Sequence, residues 1–453
     1  MQNRSIETYL NCSFECSCGR THKSLFAHYI FEPGAIEKLP ALLAELGYKR
    51  PYLISDTHTH EIAGKQVEET LKKADIRFAS CVLKSPENGD LAADEHALGS
   101  IAMGNDKEAD LIISIGTGTI NDLGRYFSYI TGRPFMLVAT APSMDGLVSG
   151  VAPLIFHNMK ITFPAQEPLA LICDSKIMAQ APLKMLAAGA ADILGKYNCL
   201  LDWKISHIVN DEYYCDTIAD IMRTAVDRTM DSTKGLAVHD SQAVSTLTEA
   251  LVLSGIAMDF SENSRPASGA EHHQSHYWEM QFLFDGIPAV LHGTKVGIGT
   301  VLMLELYNAL SVMEKPDFAK IREEIANRPS VEEWEKEMRR CYRDGAEGII
   351  ELEKKAKKND PEGLMRRLAV IEEKWDELQA IAKTAPKASE IYHILEEMGA
   401  AKVPADVGIR REYVYDSIRY GKELRDRYTI LQLFWDIGEL DEAARRLVEK
   451  YCG

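Results

Sequence analysis

The sequence predicts an α/β fold, in which an N-terminal Rossmann-like domain with a parallel sheet is followed by an all-α C-terminal domain. Short apolar runs alternate with helical segments as far as about residue 180, a pattern typical of βαβ units. Beyond residue 182 the strand signals give way to long helical periodicity. A length of 453 residues suits two domains. We therefore predict domains at 1–180, including a small cysteine-containing segment at 1–24, and at 181–453.

The predicted strands are short apolar runs in the first domain. They cover residues 26–31, 52–55, 78–83, 111–115, 135–139 and 169–173. Helical periodicity predicts helices at 36–46, 61–73, 212–234, 241–260 and 289–310, and residues 155–164 indicate a hairpin before the last strand. Residues 315–385 are rich in charged residues, with apolar ones at helical spacing. We interpret them as solvated amphipathic helices rather than a partner-binding surface.

The composition is that of an ordinary globular protein, with 46% apolar and 26% charged residues. A net charge of −17 argues against nucleic acid or an anionic membrane as a partner. A phosphorylated substrate would have to be held by local cations. Because the sequence shows neither a run of 18 apolar residues nor a signal peptide, we expect a cytoplasmic protein.

Nine scattered cysteines do not form a disulfide framework. Cys12, Cys16, Cys18 and His22 are clustered, and such a cluster could bind zinc. However, the C-x-C spacing lacks the two-residue gap of a zinc knuckle, and no second pair follows. We favour reduced cysteines in a small N-terminal hairpin.

A glycine-rich turn follows the predicted strand at 111–115. It reads Gly116-Thr117-Gly118-Thr119 and leads directly into a helical segment. Such a turn lets backbone N–H groups approach a pyrophosphate, and the helix N-terminus favours the negative charge. The turn is neither G-x-G-x-x-G nor a P-loop, and on its own it is also consistent with a tight connection.

Three residues of the predicted all-α domain offer metal ligands. Asp192 lies in a helical segment, His272 lies in a Glu-His-His sequence, and His292 opens His-Gly-Thr-Lys-Val-Gly. One oxygen and two nitrogen donors suit a divalent transition metal with an open position for substrate. By spacing alone, an isolated aspartate in a helix and two separated histidines are more typical of surface or core positions than of a metal site.

Together with the glycine turn and the Thr-Ala-x-Ser-x-Asp-Gly sequence at 140–146, these elements resemble the bacterial sn-glycerol-1-phosphate dehydrogenases of the arabinose-operon type. That family belongs to the superfamily of iron-containing alcohol dehydrogenases, glycerol dehydrogenases and dehydroquinate synthases. The resemblance covers roughly residues 24–310. It implies a dehydroquinate synthase-like fold with the active site in the cleft between the domains, and a homodimer.

The resemblance implies that Asp192, His272 and His292 hold one divalent metal ion, which could be zinc, nickel or iron. His276 lies one helical turn from His272 and is a rival ligand, but the resemblance favours a role near the substrate, in proton transfer. Asp145 is implied as a second catalytic and substrate-contacting residue. A turn aspartate before a glycine is the alternative interpretation of that residue.

The implied cofactor is NAD, with NADP also possible. Its implied contacts are Asp56, Gly116, Thr117, Gly118, Thr119, Asp122, Thr140 and Ser143. A carboxylate at Asp56 would accept hydrogen bonds from the adenosine ribose and repel a 2′-phosphate. The alternative is that Asp56 caps a helix.

The implied activity is hydride transfer between NAD(P)H and C2 of dihydroxyacetone phosphate, a small three-carbon phosphorylated substrate. Ser149, Lys160 and Arg265, together with Asp145, are the candidate substrate contacts. A glycerol dehydrogenase-like polyol oxidoreductase and a dehydroquinate synthase-like cyclase are the alternatives within the superfamily. The lack of a basic residue at 142–150 counts against the cyclase. A regulator that kept the fold without turnover is a further alternative, which the intact metal-ligand set disfavours.

Overall fold

The computed structural model describes residues 6–86, 91–156, 159–325 and 328–453. The chain divides into two compact units. The first comprises Met1–Ile193 and Thr217–Ser264, and the second comprises Leu194–Asp216 and Arg265–Gly453.

The strands of the described chain are β1 (Ser13–Glu15), β2 (Thr21–Lys23), β3 (His28–Glu32), β4 (Pro51–Asp56), β5 (Ala79–Leu83), β6 (Leu111–Gly116), β7 (Phe135–Ala139), β8 (Val151–Phe156), β9 (Met159–Pro164) and β10 (Ala170–Asp174). The α-helices are α1 (Leu39–Leu46), α2 (Thr57–Thr59), α3 (Lys65–Lys73), α4 (Glu95–Met103), α5 (Thr119–Thr131), α6 (Ser175–Ala179), α7 (Leu183–Leu194), α8 (Lys196–Asn210), α9 (Asp216–Leu236), α10 (Ser241–Ser261), α11 (Ala270–Phe284), α12 (His292–Leu310), α13 (Phe318–Glu324), α14 (Val331–Tyr342), α15 (Ala346–Ala356), α16 (Pro361–Glu373), α17 (Trp375–Ala382), α18 (Ala388–Glu397), α19 (Arg411–Tyr420), α20 (Ile430–Asp436) and α21 (Leu440–Cys452).

A six-stranded sheet organises the first unit, with the order β3-β10-β7-β6-β4-β5. Every neighbouring pair in it is parallel. The central strands β6 and β7 are buried along their whole length, because a parallel sheet carries helices on both faces and needs apolar residues on both. All six strands lie where the apolar runs predicted them, and the α/β prediction is confirmed.

The predicted hairpin is also present, as β8 paired antiparallel with β9. The first unit continues beyond residue 180, since α7, α9 and α10 group with the sheet rather than with the remaining helices. Among the described residues, α10 is the helix long and apolar enough to cross a membrane. Its most apolar window is 72% buried within the fold, as expected of a core helix.

The second unit is helical, as the periodicity predicts. Its core is formed by α8, α11, α12 and the helices that follow, with residues such as Trp278, Leu302 and Phe434 completely buried. The charged segment 315–385 forms α13–α17, and its apolar face enters the same core through Met338, Leu368 and other residues. These helices are therefore amphipathic, although the charged residues Glu353, Lys358 and Arg367 of this segment are buried.

Candidate functional site

The glycine turn joins β6 to α5 in a conformation that requires both glycines. Gly116 has φ 156° and Gly118, the residue before α5, has φ 46°. A Cβ on Gly116 would lie 2.8 Å from the Cβ of Ile120, whereas one on Gly118 would meet nothing within 4 Å. The turn is thus tightly packed against Ile120 at Gly116, whereas the space beside Gly118 is open. The open side and the N-terminus of α5 form a place where a pyrophosphate can approach the backbone.

Of the other predicted cofactor contacts, Thr117 and Ser143 have their hydroxyl oxygens 3.4 Å apart. This contact joins the turn after β6 to the loop after β7, and the buried Thr140 lies in the same loop. The Thr119 hydroxyl donates to the Leu91 carbonyl at 3.2 Å, so it serves the protein's own structure.

Asp122 lies on the buried face of α5 and forms an ion pair with Arg125 at 3.1 Å. The completely buried guanidinium of Arg125 donates to the Ser149 hydroxyl at 2.7 Å and to the Val151 carbonyl at 3.0 Å. Arg125 therefore fixes the segment leading into β8, and Asp122 balances its charge. Sequence reasoning missed Arg125; its signal was an acid–base pair spaced i, i+3 on one face of the helix.

Asp56 ends β4 and caps α2, since its Oδ1 accepts a hydrogen bond from the Thr59 N–H at 2.7 Å. The helix-cap interpretation of Asp56 is therefore correct. The residue is partly exposed, and a ribose contact through its other oxygen stays a prediction.

Asp145 and Asp192 are held next to each other in the first unit. The Asp145 N–H donates to Asp192 Oδ2 at 3.0 Å, and the Ser254 hydroxyl donates to Asp145 Oδ2 at 3.1 Å. Gly189 explains the approach, because a Cβ there would lie 1.9 Å from the Pro142 carbonyl oxygen. Asp192 follows Gly189 at i+3 and so lies on the same face of α7. One glycine thus brings a completely buried carboxylate to the loop after β7.

The predicted substrate contacts of the first unit differ in exposure. Ser149 is buried, and its hydroxyl accepts from Arg125. Lys160 lies on β9 opposite Ile155 and is half-buried. Their roles toward a substrate stay predictions.

In the second unit, three histidines converge from α11 and α12. The ring centroids of His272 and His292 lie 5.2 Å apart, and that of His276 lies 5.6 Å from His292. A ligand nitrogen of His272 and one of His292 lie within 4.8 Å of each other. The helices approach closely because Gly299 faces α11, where a Cβ would lie 2.7 Å from the Glu271 carbonyl oxygen.

Glu271, which sequence reasoning did not assign, orients His272. Its buried Oε1 lies 2.7 Å from His272 Nδ1 and also accepts from the Gly269 N–H at 2.8 Å. A carboxylate there holds the proton on Nδ1, which leaves the Nε2 lone pair for a metal. The adjacent Glu-His pair in the sequence was the available signal.

Asp202 supports this corner of the second unit from α8. Its Oδ2 accepts from the Ala270 N–H at 2.7 Å, and its Oδ1 accepts from the Tyr307 hydroxyl at 2.5 Å. Burial, with the nearby charge of Glu271, raises the pKa of Asp202 to about 7. Asp202 thereby fixes the first turn of α11, which carries His272.

His276 lies one turn along α11 from His272. Burial lowers the pKa of His276 well below its usual value, and His292 and Arg425 lower it further. The imidazole is therefore neutral at physiological pH and able to accept a proton. Its side chain is 22% exposed.

Arg265 is buried and engaged within the second unit. Its Nε donates to Glu212 at 2.7 Å and its Nη2 donates to the Tyr428 carbonyl at 2.9 Å. Arg427 lies nearby and donates to the Ser268 carbonyl at 3.2 Å, immediately before α11. Burial, with the charges of Arg265 and Arg425, lowers the pKa of Arg427 to about 10. Arg427 thus lies beside the N-terminal end of α11, where the carboxyl groups of Asp202 and Glu271 also accept hydrogen bonds.

Comparison with known proteins identifies the family. Residues 30–182 match the family model described as iron-containing alcohol dehydrogenase. A glycerol-1-phosphate dehydrogenase [NAD(P)+] of Halalkalibacterium halodurans is 35% identical, over 95% of this chain and 97% of the relative. The chain belongs to the glycerol-1-phosphate dehydrogenase family. A second member, from Geobacillus stearothermophilus, is 32% identical over the same shares of the two chains.

Solved structures share the fold of this family member. A probable glycerol dehydrogenase from Sinorhizobium meliloti gives a TM-score of 0.59 at 17% identity, covering 92% of this chain and 97% of that one. The NADH-dependent butanol dehydrogenase A of Thermotoga maritima gives 0.56 at 14% identity, with 92% and 96% covered. At such identities the likeness establishes the fold alone.

Proposed function

We propose that this chain is a metal-dependent, NAD(P)-linked glycerol-1-phosphate dehydrogenase, which transfers hydride between the nicotinamide and C2 of dihydroxyacetone phosphate. The observation that carries the proposal is the match along 95% of the chain to relatives of that name. The histidine pair of the second unit and the glycine turn of the first are the parts such a reaction needs.

We assign the metal to Asp192, His272 and His292. The donor set fits, because the Glu271 carboxylate accepts a hydrogen bond from Nδ1 of His272 and so leaves Nε2 to coordinate. His292 lies near enough to share an ion with His272, and Asp192 contributes the anionic ligand. A bound divalent metal would supply Lewis acidity at the C2 oxygen of the substrate.

We assign proton transfer to His276. It is neutral and partly exposed, and it lies beside His292. A neutral imidazole accepts the hydroxyl proton when the alcohol is oxidised and returns it when the ketone is reduced. Asp145, held by Ser254, is assigned to accept a hydrogen bond from a substrate hydroxyl.

The Gly116–Thr119 turn is assigned to the cofactor pyrophosphate, because its open side and the N-terminus of α5 offer backbone donors. Asp56 follows the neighbouring strand β4. Its carboxylate favours NAD, since it would repel the 2′-phosphate of NADP.

For the substrate phosphate, Arg427 joins Lys160 as a candidate, because it lies just before the first turn of α11 and is a second guanidinium close to Arg265. Arg265 is a weaker candidate, since its guanidinium already donates to Glu212. A phosphate between such cations would gain charge-assisted hydrogen bonds.

The deciding experiment compares NADH oxidation with dihydroxyacetone phosphate and with unphosphorylated dihydroxyacetone. We expect a kcat/KM at least 10-fold higher for the phosphorylated ketone, since one lost charge-assisted contact costs about 1.5–3 kcal/mol. The Asp192→Ala variant, measured with its metal content, is the negative control. Equal rates on both ketones would instead favour a polyol oxidoreductase, and no NADH oxidation by the metal-loaded protein would refute the proposal.

A further inference from the structure

A second group of metal-ligand atoms lies outside the candidate active site, on the β1–β2 hairpin of the first unit. The hairpin has strands of three residues each, in the register Phe14–His22. Its turn is closed by the Gly19 N–H donating to the Cys16 carbonyl at 3.0 Å, and Gly19 has φ 84°. The positive φ favours glycine and lets the chain reverse directly after Cys18. The turn therefore puts both cysteines on the side of His22.

The ligand atoms of Cys16, Cys18 and His22 lie within 4.8 Å of one another. Cys18 Sγ lies 3.3 Å from His22 Nε2. Two ligands of one tetrahedral zinc ion, with bonds of about 2.3 Å to sulfur and about 2.0 Å to nitrogen, are about 3.5 Å apart. The pair is thus spaced as the edge of a zinc tetrahedron.

His22 is oriented as a metal ligand. It is completely buried, and its Nδ1 lies 2.8 Å from the Phe260 carbonyl oxygen, which can only accept. Nδ1 therefore carries the proton, and the Nε2 lone pair points toward the Cys18 sulfur. A histidine ligand held by a backbone carbonyl is the usual outer-shell arrangement of zinc sites.

The chain supplies a fourth ligand close by. Cys16 Sγ lies 3.4 Å from the Thr217 hydroxyl in α9. Cys215 precedes Thr217 by two residues, so their Cα atoms are at most about 7 Å apart. Cys215 is completely buried and immediately precedes α9, and a helix N-terminus favours the thiolate that a metal requires.

We propose that Cys16, Cys18, His22 and Cys215 bind a structural zinc ion, separate from the metal of the candidate active site. Three thiolates and one imidazole match the donor set of closed zinc sites. A hairpin with three-residue strands is marginal on its own, and the ion would fasten it. This inference reverses the interpretation from spacing, which favoured reduced cysteines without a metal.

The test measures thiolate ligation in the full-length protein. After replacement of bound metal with Co²⁺, we expect a sulfur-to-cobalt charge-transfer band, which the oxygen and nitrogen donors of the active site cannot produce. Cys18→Ser should abolish the band and lower the zinc content by one ion per chain. Cys12→Ser is the matched control. Cys12 lies in the same N-terminal segment, but burial raises the pKa of its thiol and so disfavours the thiolate that a metal requires. This variant should keep both the charge-transfer band and the full zinc content.

A second measurement needs no variant. In the zinc-loaded protein, alkylation followed by mass spectrometry should leave Cys16 and Cys18 unmodified until a chelator is added, while Cys12 reacts equally before and after. Absence of the charge-transfer band in cobalt-loaded wild-type protein, or alkylation of Cys18 at the same rate with and without chelator, would overturn the proposal. Full zinc content and an unchanged band in Cys215→Ser would overturn the assignment of the fourth ligand.

Discussion

Gly299 sets the distance between α11 and α12, and so the spacing of the two histidines assigned to the active-site metal. In Gly299→Ala the new Cβ would lie 2.7 Å from the Glu271 carbonyl oxygen and 3.2 Å from the Gln274 Cβ. The first neighbour is backbone of α11 and cannot rotate away. The helices must therefore move apart.

The size of that movement follows from the contact. Restoring an ordinary van der Waals separation of 3.4 Å from 2.7 Å requires a shift of about 0.7 Å. Overpacking of this kind costs about 1–3 kcal/mol of folding stability. Metal–ligand distances tolerate only about 0.2 Å, so displacement of His272 from His292 should weaken metal binding about 10- to 100-fold, the range seen for damaged outer shells.

The assay is titration of the metal-stripped variant with Zn²⁺, alongside thermal unfolding with and without metal. Gly348→Ala is the matched control, because Gly348 lies in helix α15 of the same unit and a Cβ there meets nothing within 4 Å. That control should bind metal like the wild type and gain up to about 1 kcal/mol in stability.

One result would refute this reasoning. If Gly299→Ala folds and binds metal with wild-type affinity, the close approach of α11 and α12 does not determine the histidine spacing. Lower stability with unchanged metal affinity would lead to the same conclusion, since strain would then be relieved elsewhere.

Three further predictions concern the same chemistry. Glu271→Gln keeps the shape of the side chain but removes the negative charge that faces His272 Nδ1. Metal affinity should therefore fall about 10- to 100-fold in the same titration. An unchanged affinity would show that Glu271 does not support the metal ligand. Gly118→Val should raise the KM for NAD strongly. Gly132→Val is the control, because Gly132 also has a positive φ of 66° but lies beyond the other end of α5; it should lower stability without changing that KM. Equal KM values in the two variants would contradict the cofactor assignment. His276→Ala should retain stoichiometric metal with kcat reduced about 10²- to 10⁴-fold, and loss of metal in that variant would make it a ligand instead.

Much of the fold could be predicted because the signals are local. The run at 111–115 is apolar and β-branched over consecutive residues, which favours a buried parallel strand whatever surrounds it, and β6 lies there. The turn after it needs glycine for reasons confined to a few residues, and Gly118 indeed has positive φ. Element boundaries were less certain: the predicted helix at 212–234 begins at Asp216.

The roles of charged side chains were harder to predict, since a side chain's partners are often remote in sequence. Arg265 was a candidate for the substrate phosphate, yet its guanidinium donates to Glu212, 53 residues earlier. Arg125 was not singled out, although it is completely buried and holds the Ser149 segment. The i, i+3 spacing from Asp122 indicates an ion pair for Arg125 but not its burial, and nothing near Arg265 in the sequence indicates its pairing with Glu212.

The sequence by itself determined the order of strands and helices, the glycine turn and the kinds of metal-ligating residues, because these depend on residue type and on short spacings along the chain. Only the tertiary structure decided which of those groups meet. Gly299 allows α12 to bring His292 against His272, and the hairpin turn brings Cys18 to His22. These contacts depend on how whole helices and strands pack against one another. The distance between two packed elements is set by the volumes of side chains that are far apart in the sequence.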